Sequence, residues 1–349
     1  MEKKLVILVL LLLTADLFAQ KEVSRIGTSG AQFLKLGVGA RACALGESMV
    51  AVRGDATGLF WNVAAIASIE KKSLVVSRNE LYVNLNYNFL GFVLPLKHGS
   101  AVGINVLYLD SGDMEVTTVD QPEGTGDFFS WQSYSIGVSY ARFLTDRLSL
   151  GATIKYIREG TFGEIANGLA VDLGALLDTG ILGFRLGLNM SNIGDEMRFS
   201  SPKAPGYNGD DTGYGGIIRE KSLLQTQSYP LPLTFRLGLS TDLLGKHSQI
   251  MPNQKNRLTL SMNAHDPNDS FLRANFGLEY EWNSLFALRA GYRGIAIEGD
   301  PMDEYSTGSY SFGVGVKYAI DFLRFQLDYA FMDYKVLGNA HHFSLGFEF

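Results

Sequence analysis

The most constraining feature of this sequence is a strict alternation of apolar and polar residues that recurs along most of its length. In LSLGATIKY, residues 148–156, every second side chain is apolar, and the residues between them are polar or glycine. The same pattern recurs in LTFRLGLS (233–240) and in LRFQLDYAF (323–331). Because successive side chains of a β-strand point to opposite faces, a period of two predicts strands with one continuous apolar face.

The alternating segments are long and numerous, which predicts an all-β protein. Most of them reach the roughly 9–11 residues that a tilted transmembrane strand needs. About fourteen can be counted, at residues 72–79, 86–96, 100–109, 131–143, 147–158, 167–177, 181–192, 231–241, 256–265, 272–282, 285–293, 308–319, 322–334 and 340–349.

The connections between these segments alternate between short and long. The long ones are residues 110–130, 193–230 and 294–307, and the short ones include 97–99. Transmembrane barrels have short turns on the periplasmic side and longer loops outside. Residues 242–255 are the exception, because they fall on the short-turn side and are not short. The pattern therefore predicts a transmembrane antiparallel β-barrel with both termini on the periplasmic side.

A soluble β-sandwich is the competing architecture, and its strands are typically shorter, about 5–6 residues. The polar face here carries small and charged residues, as expected for a water-filled lumen. Mixed charge signs favour ion-pair ladders that stiffen the wall or anchor a plug, whereas an ion-selective pore more often shows one sign. The charged residues predicted to face the lumen are Lys155, Asp172, Arg185, Arg236, Arg273, Glu279, Arg289, Lys317, Arg324, Asp328 and Glu348.

The N-terminus has the pattern of an export signal. Lys3 and Lys4 precede an apolar run over residues 5–13, and small Ala19 follows. This pattern predicts a signal peptide over residues 1–19, cleaved before Gln20. The sequence thus divides into the signal peptide, an N-terminal segment over residues 20–71, and a barrel over residues 72–349.

Composition narrows the functional classes. The formal net charge is −6, which gives no indication of nucleic-acid binding. Beyond the signal, no uncharged apolar run reaches the ~20 residues of a transmembrane helix. Cys43 is the only cysteine, so no intrachain disulfide can form, and we interpret it as a small buried apolar residue.

The chain ends on the alternating stretch HFSLGFEF, in which apolar residues are predicted to face lipid, and Ser344, Gly346 and Glu348 the lumen. In a closed barrel this strand pairs with the first one, so it is not an exposed edge. The terminal aromatic also resembles the C-terminal signal that the barrel-assembly machinery reads in outer-membrane proteins. The residues that carry this resemblance are Phe343, Leu345, Gly346, Phe347 and Phe349.

Residues 20–71 do not follow the strand pattern. They are rich in Gly and Ala, and their helix-forming stretches are broken by Gly54 and Gly58. A periplasmic lead-in is one interpretation. A plug inside the lumen is the other, and it is favoured because a fourteen-strand barrel leaves a channel unless something fills it.

The stretch GARACALGESMVAVRGDATGLFWNVAAIA (39–67) resembles the opening of outer-membrane proteins of the FadL-like superfamily, the long-chain fatty-acid transporters. It is most similar to the PorV/PorQ family of Bacteroidetes and related bacteria. Val63 stands where that family has proline, so a looser turn is expected after Asn62. The matching residues are Gly39, Ala40, Arg41, Leu45, Gly46, Asp55, Ala56, Thr57, Phe60, Trp61 and Asn62.

Other candidate sites have simpler interpretations. Asp110, Asp113 and Glu115 lie in a predicted outer loop, where they could hold a divalent ion, but a solvated acidic loop is favoured because their spacing matches no defined calcium loop. His341 and His342 are adjacent, so in a strand they face opposite sides and cannot share a metal. No catalytic constellation is recognisable, so we expect no enzyme, no cofactor and no metal site.

The resemblance implies two alternative functions. A PorV-like protein would be a type IX secretion component that binds exported proteins carrying a C-terminal signal domain and delivers them to the cell surface. Its partners would be secretion components, cargo, and outer-membrane lipid and lipopolysaccharide. A FadL-like protein would instead pass hydrophobic small molecules through the barrel, with Pro95 marking a break in the wall.

Overall fold

A computed structural model of the protein describes residues 26–81, 85–161, 164–200, 226–246, 248–297 and 308–349. The predicted signal peptide lies outside these ranges, as do most of loop 193–230 and residues 298–307 of loop 294–307. No helix within the described ranges is long and apolar enough to cross a membrane.

The described residues form fourteen long strands, which confirms the predicted number. In chain order they are β1 (Ser73–Glu80), β2 (Asn86–Leu96), β3 (Ser100–Asp110), β4 (Gln132–Phe143), β5 (Leu148–Thr161), β6 (Glu164–Asp178), β7 (Arg185–Gly194), β8 (Thr234–Gly245), β9 (Asn256–Pro267), β10 (Arg273–Trp282), β11 (Phe286–Ala296), β12 (Ser309–Ile320), β13 (Leu323–Asp333) and β14 (Asn339–Glu348). Two-residue strands Met114–Glu115 and Phe128–Phe129 form a small hairpin beyond β3.

The fourteen strands close into one antiparallel barrel. Each pairs with its chain neighbours, and β14 pairs with β1, from Ser73 opposite Glu348 to Glu80 opposite His341. The amide of Phe349 also donates to the carbonyl of Lys72 at 2.9 Å. The last strand is therefore not an edge, as predicted.

The alternation in the sequence becomes an apolar outer band and a polar inner surface. Phe343 and Leu345 are exposed on the outside of β14, whereas Ser344 and His342 between and beside them are buried inside. The same holds on β5, where Ile154 is 66% exposed and Lys155 is 7% exposed. Exposed apolar side chains on every strand would be untenable in water, and they identify the outside as the lipid-facing surface.

The two ends of the barrel differ, and we name them by their connections. The short-turn end carries residues 97–99, 144–147, 179–184, 246–255, 283–285 and 321–322. The long-loop end carries the connections after β1, β3, β5, β7, β9, β11 and β13. Because short turns are periplasmic in such barrels, the long-loop end is the outer one.

Several predicted boundaries are wrong by a few residues. The strand predicted from 181 begins at Arg185, because Leu182 and Gly183 adopt positive φ in a turn closed by the Phe184 amide on the Ile181 carbonyl. The hairpin of β5 and β6 is longer than predicted. Connection 246–255 is not short, since Met251–Pro252 fold back and pair in parallel with the end of β8.

Pro95 does not mark a break in the wall. It pairs with Ala101 within a continuous register between β2 and β3. Register shifts occur instead within β6–β7, β8–β9 and β10–β11.

Candidate functional site

The N-terminal segment, which we define as residues 26–72, lies within the ring of strands. Four short helical elements shape it: a 3-10 helix Gln32–Lys35, α1 (Ala40–Ala44), α2 (Gly58–Trp61) and a 3-10 helix Val63–Ser68. Most residues from Val38 to Ala67 are buried. The lumen is therefore filled at this level by small and apolar side chains of the segment.

Wall glycines allow the segment to approach the strands closely. A Cβ on Gly291 of β11 would overlap the backbone of Leu45 and Gly46, and one on Gly187 of β7 would overlap the Val50 carbonyl. Gly151 of β5 lies equally close to the backbone at Val63 and Ala64, 2.9 Å from where a Cβ would sit. Glycines on several strands thus form the surface against which the segment packs as it winds around the lumen.

Asn62 connects the segment to itself and to the wall. Its side-chain Nδ2 donates to the carbonyls of Val50, at 2.8 Å, and Ala175 on β6, at 3.0 Å, while its Oδ1 accepts from the Ala64 amide at 3.1 Å. Neighbouring Trp61 is buried and donates from Nε1 to the Val38 carbonyl at 3.0 Å. Asn62 caps the following 3-10 helix, so the turn is well defined although Val63 replaces the family's proline.

Arg41 carries the strongest polar contact between segment and wall. Its guanidinium donates two hydrogen bonds, of 2.7 and 2.8 Å, to the carboxylate of Glu279 on β10. It also pairs with Asp55 at 3.2 Å, and Asp55 accepts from the Thr57 amide at 2.8 Å. Arg41 and Glu279 are both buried, so this ion pair is shielded from water.

Glu279 is the centre of a larger network on the inner wall. Arg289 donates to it at 2.7 Å and Arg257 at 3.1 Å. Arg289 also reaches across Gly315 to Asp328 on β13, at 2.7 Å. These mixed-sign pairs join β9, β10, β11 and β13 to the N-terminal segment, as expected for charges that must be paired when buried.

A second group of polar contacts fixes the segment at the long-loop end. Asp269, in the connection between β9 and β10, accepts from Lys35 Nζ at 2.8 and 2.9 Å, from Gln32 at 2.7 Å, and from the Ser29 hydroxyl. Burial acts to raise the pKa of Asp269, but these hydrogen bonds outweigh it and hold the pKa below its ordinary value. The tether is therefore intact at neutral pH.

Replacing Asp269 by Asn is expected to loosen residues 26–37. The charge-assisted bonds to Lys35 contribute about 1–3 kcal/mol to docking of the segment. Cys43, the only cysteine, is buried in α1 and burial raises the pKa of its thiol, so it should resist a maleimide while the segment is docked. Asp269→Asn should label several-fold faster at pH 7 than the wild type.

The pH dependence of this tether has a defined sign. Because the folded pKa of Asp269 is lowered, its contribution is present above the ordinary value of about 3.9 and is lost only as the pH falls through the lower folded pKa. Protease sensitivity of residues 26–37 should thus be constant from pH 5 to 8 and rise in stronger acid. In Asp269→Asn this acid step should be absent. Equal acid steps in both proteins would contradict the assignment.

A cavity of about 570 Å³ lies at the long-loop end, between the start of the N-terminal segment and the wall. Its apolar lining is formed by Phe33, Leu36, Leu109, Trp131, Phe199 and Tyr229. The rings of Trp131 and Phe199 meet edge to face with centroids 5.5 Å apart, and Phe199 and Tyr229 are 5.7 Å apart. We call this space the outer cavity.

One carboxylate lies within the outer cavity. Glu159, near the end of β5, is 6% exposed and accepts from the Ala31 amide at 3.1 Å. The hydroxyls of Ser133 and Tyr229 donate to it at 3.4 Å each. Burial and the carboxylate charge raise the pKa of Tyr229, which keeps its hydroxyl protonated as a donor.

A second cavity, of about 490 Å³, lies at the short-turn end, and seven cationic side chains are among those that line it. Arg257 and Lys317 both pair with Glu281, and Arg324 pairs with Glu348 at 2.9 Å. Its charge is thus largely compensated by its own wall.

The remaining predicted candidates lie apart from these cavities. Glu115 accepts from the Gly126 amide at 3.3 Å, and Asp110 from the Gly112 amide at 3.2 Å, which are contacts within the loop. Asp113 is exposed. Within the described ranges no group of three or more His, Cys, Asp or Glu side chains is placed to hold a metal ion.

Sequence reasoning missed the residues that build the outer cavity. Glu159 reads as one more polar residue of an alternating strand, and Tyr229 as a loop residue. Trp131, at the start of a predicted strand, donates to Ser133 inside the cavity at 2.9 Å. No spacing in the sequence links these residues.

The fold is shared with solved outer-membrane transporters. The toluene transporter TodX of Pseudomonas putida superposes with a TM-score of 0.56 at 13% identity, covering 89% of this chain and 96% of its own. A FadL homologue of Pseudomonas aeruginosa gives 0.56 at 13% identity, covering 89% and 98%, and the monoaromatic hydrocarbon channel CymD gives 0.55 at 13%, covering 89% and 96%. The protein is an outer-membrane β-barrel of Gram-negative type with the FadL-like fold.

A family model matches the first half of the sequence. Residues 18–175 match the model of the type IX secretion system protein PorV. This range contains the N-terminal segment and β1 to most of β6, and it agrees with the predicted resemblance. None of the curated proteins matches the chain.

Proposed function

We propose that the protein is an outer-membrane component of type IX secretion that binds exported proteins at its long-loop end and carries them to surface attachment. The family match over residues 18–175 supports a place in this system. Binding of cargo is the further step, and the position of the outer cavity is the observation that carries it. The cavity lies at the long-loop end, which is the outer end of the barrel, where exported proteins would be attached.

The filled lumen favours docking of a ligand at the long-loop end over its passage through the barrel. We propose that the N-terminal segment, including the motif from Gly39 to Asn62, is a plug. The Arg41–Glu279 pair, the Asn62 hydrogen bonds and the wall glycines hold it at mid-lumen, beneath the outer cavity. A ligand in the cavity then meets a fixed floor, which is the arrangement of a receptor.

The contacts expected with the membrane follow from the outer surface. We propose that the apolar band contacts outer-membrane lipid and that the outer loops contact lipopolysaccharide. The last strand, with Phe343, Leu345, Gly346, Phe347 and Phe349, is the proposed signal for barrel assembly. Its outward Phe343 and Leu345 are accessible on the finished barrel, as a recognised face requires.

Co-purification from the native cell tests the proposed function. The tagged full-length protein, isolated under mild detergent, should recover exported proteins with C-terminal signal domains and outer-membrane secretion components. A tagged barrel of the same membrane with unrelated function serves as the control. Recovery of no such proteins above that control would contradict the proposal.

Uptake of hydrophobic small molecules is the second candidate, and the apolar lining of the outer cavity favours it. The solved proteins with this fold include a toluene transporter and a monoaromatic hydrocarbon channel. Liposomes that contain the purified protein should take up toluene faster than empty liposomes if this candidate is correct. Under the docking proposal the two rates should be equal.

A further inference from the structure

We propose that the outer cavity is a receptor site for a cationic side chain, a lysine or arginine of an exported protein, whose charge meets Glu159 while its stem lies against the aromatic lining. This inference rests on the proposed function and specifies the chemistry of its ligand. It is carried by the partners of Glu159, by the rings around it, and by the size of the space.

The first observation is the set of groups that contact the Glu159 carboxylate. All three are neutral donors: the amide of Ala31 and the hydroxyls of Ser133 and Tyr229. Two of them are at 3.4 Å, which is long for a hydrogen bond to a charged acceptor. Among the described residues no Lys, Arg or His contacts this carboxylate. A buried carboxylate that has only neutral donors, two of them distant, is costly, and a cation would relieve that cost.

The contrast with other buried carboxylates of the lumen is direct. Glu279 has three guanidinium partners, Asp172 pairs with Lys155 at 2.7 Å, and Asp269 pairs with Lys35 at 2.8 Å. The charge of each of these carboxylates is already paired with a cationic side chain of the protein itself. Glu159 differs from them because it has no cationic partner among the described residues and lines the outer cavity.

The second observation is the aromatic lining. Trp131, Phe199 and Tyr229 lie in successive ring contact, and Phe33 lies on the segment side of the same space. Aromatic faces attract ammonium and guanidinium groups within about 6 Å, and they also accept an aliphatic stem. An acid at the base of an aromatic wall is therefore matched to a long side chain with a charged end.

The third observation is geometric fit. The cavity of about 570 Å³ falls within the ~300–1,000 Å³ of typical ligand pockets, so it has room for a side chain and part of its neighbours. Trp131, Phe199 and Tyr229 are only partly buried, so the site is reachable from the long-loop end. Gly30 lets the Tyr229 ring pack directly against the segment at the edge of the cavity, because a Cβ there would overlap the ring.

Calorimetry with matched peptides tests the site. The probes are a short neutral peptide with one central lysine and its norleucine analogue, which has the same four-carbon stem without the ammonium group. The full-length protein in nanodiscs should bind the lysine peptide at least about tenfold more tightly. Glu159→Gln keeps the size and the Ala31 contact, and should remove this preference.

The control is Glu123→Gln, which makes the same charge change on an exposed loop residue of the same end. It should keep the full lysine preference. Heat-modifiable migration on gels verifies that each variant is folded. If Glu159→Gln fails to fold, Phe199→Leu replaces it, and it should lower lysine-peptide affinity several-fold through loss of a ring face. Equal affinity of the two peptides for the wild type would overturn the proposal, as would an undiminished preference in Glu159→Gln.

The outcomes separate this site from the proposed function. If exported proteins co-purify with the wild type and with Glu159→Gln equally, cargo binding stands and the site is wrong. If the lysine preference depends on Glu159 but no exported protein co-purifies, the site stands and the proposed function is wrong.

Discussion

Glu279→Gln is expected to be the most destabilising single substitution in the barrel wall. The variant leaves Arg41, Arg289 and Arg257 around a neutral amide, in a place where Glu279 is 1% exposed. Removing one partner from a buried ionic network typically costs about 3–5 kcal/mol, because the remaining charges stay buried without compensation. The free energy of unfolding from urea titration in detergent, read by heat-modifiable migration, should fall by this amount.

The same substitution should release the N-terminal segment, since Arg41 loses its charge pair and one of its two acceptor oxygens on the wall. Maleimide labelling of Cys43 reports this separately from unfolding of the barrel. Glu80→Gln is the matched control, because Glu80 is exposed and its pair with Arg78, at 3.4 Å, is worth at most about 1 kcal/mol. Similar losses for the two variants would contradict a central role for Glu279.

Gly291→Ala is expected to displace the N-terminal segment without breaking the barrel. The added Cβ would overlap the Gly46 nitrogen and the Leu45 carbonyl carbon, which are backbone atoms and cannot rotate away. Gly46 has φ +61° and already lies closer to the wall than a Cβ would allow, since a Cβ on it would be 2.8 Å from the Phe276 carbonyl oxygen, so it cannot yield either. Overpacking of this kind costs about 1–3 kcal/mol, and we expect the upper part of that range.

The measurement combines Cys43 labelling with heat-modifiable migration. Gly291→Ala should label at least several-fold faster than the wild type, while the folded barrel still migrates as such. Gly346→Ala is the control on another wall glycine, because its Cβ would meet its nearest neighbour, Gln326 Cβ, at an ordinary 3.5 Å. If both variants label at the wild-type rate, close packing against the wall glycines does not position the segment.

The barrel could be predicted because the alternation that defines its strands is a local property of the sequence. A period of two fixes which side chains face lipid, and this assigned residues such as Ile154 and Lys155 to opposite faces of β5 without any knowledge of neighbours. The positions of turns were predicted less reliably than the strands. The apolar residues Ile181 and Leu182 extended a predicted strand into what is a turn, since positive φ at Leu182 cannot be read from its side chain.

The N-terminal segment was recognised by its departure from the strand pattern and by its motif, but its contacts were not. Arg41 pairs within the segment with Asp55, at 3.2 Å. The partner that matters more, Glu279, is 238 residues away in the chain. Mixed charges on the inner face indicated that such pairs exist, without indicating which residues form them.

By itself, then, the sequence determined the class of fold, the number of strands and the face of each side chain, because these depend on residues next to one another. The tertiary structure alone decided where the outer cavity lies and what it contains. Ala31, Ser133, Glu159 and Tyr229 come from four separate parts of the chain and meet only because closure of the barrel brings β4, β5 and the connection after β7 around the N-terminal segment. Contacts of such long range carry no local pattern, so their geometry exists only in the folded protein.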